Sequence, residues 1–211
     1  KSRLAHALPD HARPALMGAL LADLLDLLHS CAEVRGISVV TRCPQARALA
    51  QAHHADCLCL ADDHSLNSGV TAAVRELTAR GIRDTLILHG DLPRVEADDI
   101  DAVIRAHHTG DAAVTLVPDN QYNGTNAMLL ALPTALQMQY GQHSYRKHLD
   151  YCHAHGLSVQ TVCNERLGCD LDLWQDFAPL LSLRTAGNRP QLAHWLELYS
   201  ELFDWPLAAN L

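Results

Sequence analysis

Apolar and polar positions alternate between helical and strand periodicities along the chain. Residues 13–28 (RPALMGALLADLLDLL) carry leucines at helical spacing, and the β-branched run GISVV that follows is typical of a strand. Up to Pro118 the same pattern predicts helices over PQARALAQAH, SLNSGVTAAVRELTARG and residues 96–107, and strands over ADCLCLAD, DTLILHG and DAAVTLVP. Pro44 suits a first helical turn and Gly81 a helix end. This alternation predicts an α/β fold, with an open, mostly parallel sheet covered by helices on both faces.

After Pro118 the pattern is less regular. TNAMLLAL and LSVQTV are predicted as strands, with a helix over SYRKHLDYCHAHG between them. The tail, residues 190–205, predicts an amphipathic helix that places Trp195, Leu198, Leu202 and Trp205 near one face. This face is expected to cover the protein's own core, and a homodimer contact is the alternative. Without a linker or an internal repeat, residues 1–211 are expected to form a single domain.

Composition narrows the class of protein. Hydrophobic residues make up 48% of the chain and charged ones 19%, as in ordinary globular domains. The formal net charge of -8 argues against a nucleic-acid partner. No apolar run is long enough to span a membrane and no signal-peptide pattern opens the chain, so we expect a soluble, cytoplasmic protein. The seven cysteines lack CxxC spacing and the 14 histidines are scattered, which favours reduced thiols over disulfides or zinc and leaves a His/Cys metal protein as a distant alternative.

Candidate metal-binding carboxylates occur at two places in the sequence. Asp91 comes where the strand in TLILHGDLPRV ends, and ligands of open α/β sheets bind beyond such strand ends. The alternative for Asp91 is to cap the turn before the next helix. Asp170 and Asp172, in LGCDLDLWQD, lie two apart, an unfavourable arrangement unless a cation or hydrogen-bond donors lie between them. Mg²⁺ prefers such carboxylates together with waters and phosphate oxygens, whereas a solvated edge strand or an N-cap is the alternative.

Three further stretches suit anions. The loop PDNQYNGT is rich in backbone N–H groups, and Gly124 would allow a ligand to approach closely. In YGQHSYRKH, Ser144 is a candidate N-cap at a helix start that suits a phosphate or a carboxylate. Lys1 and Arg3 precede the first helix, where two cations could contact a polyphosphate. Each stretch alone is also typical of an ordinary turn, cap or terminus.

Six motifs occur together in a recognisable order: KSRL, SLN, HGDLP, NGTNAMLL, YGQHSYRKH and CDLD. Over residues 1–181 the chain thereby resembles the 2-phospho-L-lactate guanylyltransferase family. The resemblance implies a three-layer nucleotidyltransferase-like (nucleotide-diphospho-sugar transferase) fold whose first strand would lie upstream of Lys1. It also implies the joining of GMP from GTP to 2-phospholactate, phosphoenolpyruvate or 3-phosphoglycerate, with release of pyrophosphate, in coenzyme F-420 biosynthesis. The product would pass to the transferase that adds the deazaflavin.

The resemblance also implies roles for individual residues. The Mg²⁺ ligands and catalytic carboxylates would be Asp91, Asp170 and Asp172. The nucleotide would contact Lys1, Arg3, Leu66 and Asn67. The acceptor acid would contact Gly124, Thr125, Gly141 and Ser144, beside His143.

Three residues depart from the family pattern. Gly90 replaces an alanine, Asn123 replaces a glycine, and His143 stands where a small residue is expected. The last two lie in the implied acceptor pocket and leave the identity of the acid open. A molybdopterin or sugar nucleotidyltransferase is the alternative within the enzyme class. A catalytically silent nucleotide-binding subunit is the alternative outside it.

Overall fold

The computed structural model describes residues 8–58, 65–171, 176–177, 180 and 188–203. Lys1, Arg3, Asp172 and Trp205 lie outside the described residues. The helices are α1 (Ala12–Ser30), α2 (Pro44–Ala52), α3 (Leu66–Ala79), α4 (Ala97–Gly110), α5 (Ser144–Ala154) and α6 (Pro190–Leu198), and a 3-10 helix follows at Ser200–Phe203. The strands are β1 (Ser38–Val40), β2 (Asp56–Leu58), β3 (Asp84–Leu88), β4 (Val114–Pro118), β5 (Thr125–Ala131) and β6 (Val159–Thr161). Every element predicted from periodicity is present.

The main sheet has the strand order β3-β5-β4-β6, and β1 and β2 form a separate parallel pair. β6 runs parallel to β4, whereas β5 is antiparallel to both β3 and β4. Three of the four strands in the main sheet therefore share one direction. β5 is reversed because residues 119–124 connect it to β4, and so short a connection can join only antiparallel neighbours.

Side chains of β5 alternate between two cores, which makes the fold three-layered. Ala127 and Leu129 pack in a cluster with residues of α1 and α4. Met128 and Leu130 point to the other face and pack with residues of α3 and α5. The buried strand therefore lies between two helical layers, as the predicted three-layer α/β fold requires.

Gly81 ends α3 as predicted. Its φ of +79° is in the left-handed region that glycine adopts without strain. The Gly81 N–H donates to the Thr78 carbonyl, and the Ile82 N–H donates to the Leu77 carbonyl at 3.1 Å. These two bonds form a Schellman motif, which turns the chain sharply into β3.

The C-terminal helix packs on α1 and covers the protein's own core, as expected. Trp195 is 3% exposed, stacks on Phe177 and donates its indole N–H to the Ala12 carbonyl. The predicted placement of Leu198 on the buried face is wrong, because α6 ends at that residue and its side chain is 66% exposed.

α6 is fastened to α1 by a buried carboxylate. Asp23, 3% exposed, accepts hydrogen bonds from the backbone N–H groups of Gln191 and Leu192 at 3.0 and 2.8 Å. The buried Arg189 guanidinium donates to the carbonyls of Asp23 and Val95. Burial raises the pKa of Asp23, and the two N–H bonds and Arg189 oppose that rise.

We expect Asp23→Asn to lower the free energy of unfolding by about 1–2 kcal/mol, because one N–H of α6 would then face an amide NH₂ group instead of an oxygen. Urea denaturation monitored by circular dichroism measures this. Asp111→Asn, at an exposed position just after α4, is the control and should change stability by less than about 0.5 kcal/mol. Equal losses of stability in the two variants would contradict the role of Asp23 in holding α6 to α1.

Two general expectations concern thiols and membranes. Cys31 and Cys152 are buried, as expected for core thiols, but Cys43 and Cys163 are exposed, and the described cysteines are free. Burial raises the pKa of the Cys31 thiol to about 11, so it stays protonated at neutral pH. None of the described helices is both long and apolar enough to cross a bilayer.

Candidate active site

Two of the predicted carboxylates lie on adjoining loops. β3 ends at Leu88, and Asp91 follows three residues later. The Leu171 N–H donates to the Asp91 carbonyl at 3.1 Å, which brings the Asp170 segment directly beside the Asp91 loop. The Leu171 side chain is 1% exposed and packs in the cluster shared by α1 and α6. The fold therefore brings the segments of two distant carboxylate motifs together, while Asp172 lies outside the described residues.

The N-cap of α4 is Glu96, and Asp99 completes its capping box. The Glu96 N–H donates to the Asp99 carboxylate at 2.9 Å and closes a capping box at the helix start. Asp91 lies five residues before Glu96, and the buried Leu92 and Pro93 lie between them. Asp91 is therefore not the N-cap of α4, and its alternative role as a cap of the preceding turn stays open.

Asp99 also anchors the segment that leads to Asp170. Its two oxygens accept from Arg166 Nε and Nη2 at 2.7 and 2.8 Å, and from Asn164 Nδ2 at 2.7 Å. Burial alone would raise the pKa of Asp99, but the bonds from Arg166, Asn164 and the Glu96 N–H outweigh burial and hold the pKa below its ordinary value. Asp99 is therefore a buried anion at neutral pH that fixes residues 164–167.

Two further bonds from the β4–β5 side hold the same segment. Asn126, 3% exposed, donates its side-chain amide to the Leu167 carbonyl at 3.0 Å. The Asn120 N–H donates to the Gly168 carbonyl, also at 3.0 Å. The chain leading into Asp170 is thus held from both sides, which suits a carboxylate that must stay in place when a cation binds.

The predicted nucleoside segment begins α3. Ser65 caps this helix by accepting from the Ser68 N–H, and Leu66 is 56% exposed. The Asn67 side chain pairs with the peptide of Tyr140: its Oδ1 accepts from the Tyr140 N–H at 2.6 Å, and its Nδ2 donates to the Tyr140 carbonyl at 3.1 Å. Of the two residues, Leu66 is the one presented to solvent, while Asn67 connects α3 to the segment before Gly141.

The predicted anion cradle at residues 119–124 is occupied by the protein's own carboxylate. Asp119 accepts from the backbone N–H groups of Gln121, Asn123 and Gly124 at 3.0, 2.8 and 2.6 Å. A Cβ on Gly124 would lie 2.9 Å from Asp119 Oδ2, so glycine is needed here for the close approach of Asp119. The loop therefore binds an anion as its sequence predicts, but that anion is internal. An acceptor contact at Gly124 stays a prediction.

Thr125 and Ser144, both predicted acceptor contacts, lie side by side. The Thr125 N–H donates to Ser144 Oγ at 3.0 Å, and the two residues are 1% and 2% exposed. The prediction that Ser144 is the N-cap is wrong: the cap position is His143, whose φ is +59°, and Ser144 is the first helical residue. The Ser144 hydroxyl is used across the β5–α5 contact because it faces the sheet.

The turn before α5 is the exposed part of this region. Gly141, with a φ of +123°, and His143 are both exposed, whereas Asn123 is half-buried. The Ser144 N–H bonds the Gly141 carbonyl, and the Tyr145 N–H bonds the Asn123 carbonyl, which holds the turn against the 119–124 loop. We call Thr125, Ser144 and the Gly141–His143 turn the acceptor corner.

The carboxylates of Asp91 and Asp170 supply part of the oxygen ligands that a hard divalent cation needs. Asp91 and Asp170 lie on adjoining loops, and carboxylate oxygens are the ligands that Mg²⁺ prefers. No cluster of three or more His, Cys, Asp and Glu side chains with metal-binding geometry occurs within residues 8–58, 65–171, 176–177, 180 and 188–203. Two carboxylates plus waters and substrate phosphates form a complete Mg²⁺ shell, so the residues present fit the ion.

Sequence reasoning missed three residues that build this site. Asp119 had a signal, because Asp followed by Asn, Gly and Thr within six residues is typical of a side chain that bonds its own loop. His148 had one too, since Ser144, His148 and Cys152 recur at four-residue spacing and all are buried. Leu171 had none, because an apolar residue between two aspartates does not indicate which backbone it will meet.

Comparison with known proteins shows the family to which the chain belongs. Residues 1–188 match the family model described as "Guanylyl transferase CofC like". The phosphoenolpyruvate guanylyltransferase of Conexibacter woesei is 30% identical over 202 residues, covering 96% of this chain and 90% of its own. The 3-phospho-D-glycerate guanylyltransferase of Phenylobacterium zucineum is 32% identical over 182 residues, covering 83% and 81%.

Solved structures share the fold at low sequence identity. A putative nucleotide-diphospho-sugar transferase from Desulfovibrio desulfuricans G20 superposes with a TM-score of 0.71 at 12% identity, covering 95% of this chain and 89% of that one. CMP:2-keto-3-deoxy-manno-octonic acid synthetase complexed with CTP gives 0.60 at 12% identity, covering 80% and 88%. The predicted fold class is therefore confirmed. By its family match and its relatives, the chain belongs to the CofC-like guanylyltransferases and is a nucleotidyltransferase enzyme.

Proposed function

We propose that this enzyme joins GMP from GTP to a small phosphorylated carboxylic acid and releases pyrophosphate, as a step of coenzyme F-420 biosynthesis in the cytoplasm. The observation that carries the proposal is the Leu171–Asp91 backbone bond, because it joins the two carboxylate motifs that the reaction needs in one place. The guanylated acid would then pass to a transferase that adds the deazaflavin. Family membership supports this class of substrate, since relatives are named for phosphoenolpyruvate and 3-phospho-D-glycerate.

The proposed chemistry depends on charge rather than on a general base. The acceptor's phosphate oxygen is already an anionic nucleophile, and the barrier lies in bringing two polyanions together and stabilising the departing pyrophosphate. Mg²⁺ held by Asp91 and Asp170, with Asp172, would supply charge neutralisation when bound. Asp99 and Leu171 would hold the two carboxylate loops in fixed positions relative to each other, so that the loops need little reorganisation when substrate binds.

The nucleotide would bind on one side of the segment that contains Tyr140, and the acceptor acid on the other. Leu66, exposed at the start of α3, lies on the side proposed for the nucleoside, with Lys1 and Arg3 assigned to the triphosphate. The exposed turn from Gly141 to His143, at the start of α5, is proposed to bind the acceptor's anionic groups. Asn67 ties the two sides together through the Tyr140 peptide.

We further propose that the acceptor is a hydroxyl-bearing acid such as 3-phosphoglycerate. His143 and Asn123 add hydrogen-bonding groups on either side of the turn, where the family has small residues. An acceptor hydroxyl would pair with such groups, whereas phosphoenolpyruvate has no hydroxyl to offer them.

The test is pyrophosphate release from GTP with each of the three acids in turn, followed by mass-spectrometric identification of the product. We expect release to require Mg²⁺ and to be fastest with 3-phosphoglycerate. Strict preference for phosphoenolpyruvate would overturn the choice of acid but not the reaction. GTP binding without turnover on any acid would overturn the reaction and favour a silent nucleotide-binding subunit.

A further inference from the structure

His148 is a buried imidazole that the proposed reaction does not use. It lies on α5, one turn after Ser144, and its side chain is 0% exposed. Both ring nitrogens have partners: Nδ1 lies 3.1 Å from Thr125 Oγ1, and Nε2 lies 2.9 Å from the Gln139 backbone nitrogen. A fully buried polar ring with two satisfied nitrogens is a fixed part of the structure.

The two bonds determine where the proton is. The Gln139 N–H can only donate, so Nε2 must be the unprotonated acceptor, and Nδ1 then carries the hydrogen and donates to Thr125 Oγ1. Adding a second proton would turn Nε2 into a donor facing another donor. Burial, with a smaller effect of Lys147, lowers the pKa of His148 to about 4, so the ring is neutral at physiological pH.

His148 connects the two halves of the acceptor corner. Through Thr125 it contacts the start of β5, whose backbone N–H bonds Ser144. Through Gln139 it contacts the segment that leads to the exposed Gly141–His143 turn. Because the peptide of Tyr140 is also held by Asn67, residues 139–141 are fixed on one side by α3 and on the other by His148.

The donor and acceptor roles in the hydrogen bonds of the Thr125 hydroxyl can also be assigned. Its hydroxyl oxygen accepts from His148 and lies 3.4 Å from the Ser144 hydroxyl, which donates to it. No described residue accepts the hydrogen of the Thr125 hydroxyl. Because the imidazole donates to it, Thr125 Oγ1 acts as an acceptor inside the protein. The hydroxyl hydrogen of Thr125 is then available to a group outside this network.

We propose that His148 is a positioning residue for the acceptor acid: as a neutral Nδ1–H imidazole it holds Thr125 and the Gly141–His143 turn in the geometry that binds the acid's anionic groups. The proposal rests on the proposed function and assigns to it a residue that does not touch substrate. It implies that His148 controls affinity for the acid and leaves affinity for GTP unchanged.

Two substitutions separate the two bonds. An asparagine amide reaches roughly the position of Nδ1, so His148→Asn keeps the donor to Thr125 and loses the acceptor for the Gln139 N–H. A glutamine amide reaches roughly the position of Nε2, so His148→Gln keeps that acceptor and loses the donor to Thr125. Each variant loses one buried hydrogen bond, and we expect the KM for the acid to rise about fivefold to tenfold with the KM for GTP unchanged.

His153→Gln is the matched control, because His153 lies on the same helix and is exposed. It should leave both KM values unchanged. In a Thr125→Val background, His148→Gln should add less than about a twofold further rise, since the bond it removes is already lost. Unchanged KM values for the acid in both His148 variants, or equal rises for the acid and GTP, would overturn the proposal.

The histidine tautomer gives a readout that does not need turnover. Long-range ¹H–¹⁵N spectra of the wild-type protein, with the His148 signal assigned from the spectrum of His148→Gln or His148→Asn, should show protonated Nδ1 and unprotonated Nε2 at pH 7. The opposite tautomer would overturn the inference even if the enzyme is active. Failure of the wild-type protein to form product from any acid would refute the proposed function itself, and the proposed role in acid binding with it.

Discussion

Asp91→Asn is expected to fold normally and to lose at least about 100-fold in kcat, to the point where guanylated product is hard to detect. The substitution keeps the size of the side chain but removes the charge that would hold Mg²⁺ against the phosphates, and losing an electrostatic contact to a transition state commonly costs this much or more. Pyrophosphate release at saturating GTP and acid measures the effect.

The control for Asp91 is Asp98→Asn, which removes the same charge from an exposed position in the first turn of α4. Its kcat should stay within about twofold of the wild-type value, and thermal melts of both variants should match the wild type. Near-normal turnover by Asp91→Asn would refute its assignment as a metal ligand. A large loss in both variants would point to a general electrostatic effect.

Asp99→Asn is expected to have the largest effect on stability, a loss of about 2–3 kcal/mol in the free energy of unfolding. Asp99 is 4% exposed and accepts four hydrogen bonds, three of them from Arg166 and Asn164 side chains. An amide at this position turns one acceptor into a donor facing other donors. We take the lower part of the usual range for broken buried pairs because the Arg166 side chain is 39% exposed. Urea denaturation at pH 7 measures the loss.

The same residue predicts acid sensitivity. The pKa of Asp99 is lower in the folded state than in the unfolded state, where it lies near about 3.9. Its contribution to stability is therefore fully present above the unfolded value and is lost as pH falls through the folded value. Between pH 5 and pH 3 the wild-type protein should lose more stability than Asp99→Asn does. Asp150→Asn, an exposed control, should follow the wild-type curve, and parallel curves for all three proteins would contradict this account.

Element types were predictable because each depended on local pattern. The helical leucines of α1 and the strand runs of β3 and β4 gave their structures directly, and Gly81 gave a helix end. The direction of β5 was not readable from TNAMLLAL, because an apolar strand buried on both faces has the same pattern whether parallel or antiparallel. Only the shortness of the connection from β4 indicates the reversal.

The site shows the same division between local and distant information. Asp91 could be named as a candidate because it follows a strand end, and Asp170 because it lies two residues from Asp172; both signals are local. Only Asp119 carried a local signal for its use; the use made of Ser144 and Asn67 could not be predicted, since a polar side chain suits a ligand, a cap or a neighbouring peptide equally well until its partner is known. In all three residues the side chain bonds the protein's own backbone.

Leu171 makes the C-terminal helix relevant to the reaction. Its N–H bonds the Asp91 loop while its side chain packs between α1 and α6, so the carboxylate pair and the last helix share one residue. We therefore expect a tag, fusion or truncation that disturbs α6 to act on the position of the proposed metal ligands as well as on folding. If the proposed metal site is right, changes at this end of the chain should alter the catalytic rate, although α6 itself supplies none of the proposed catalytic carboxylates.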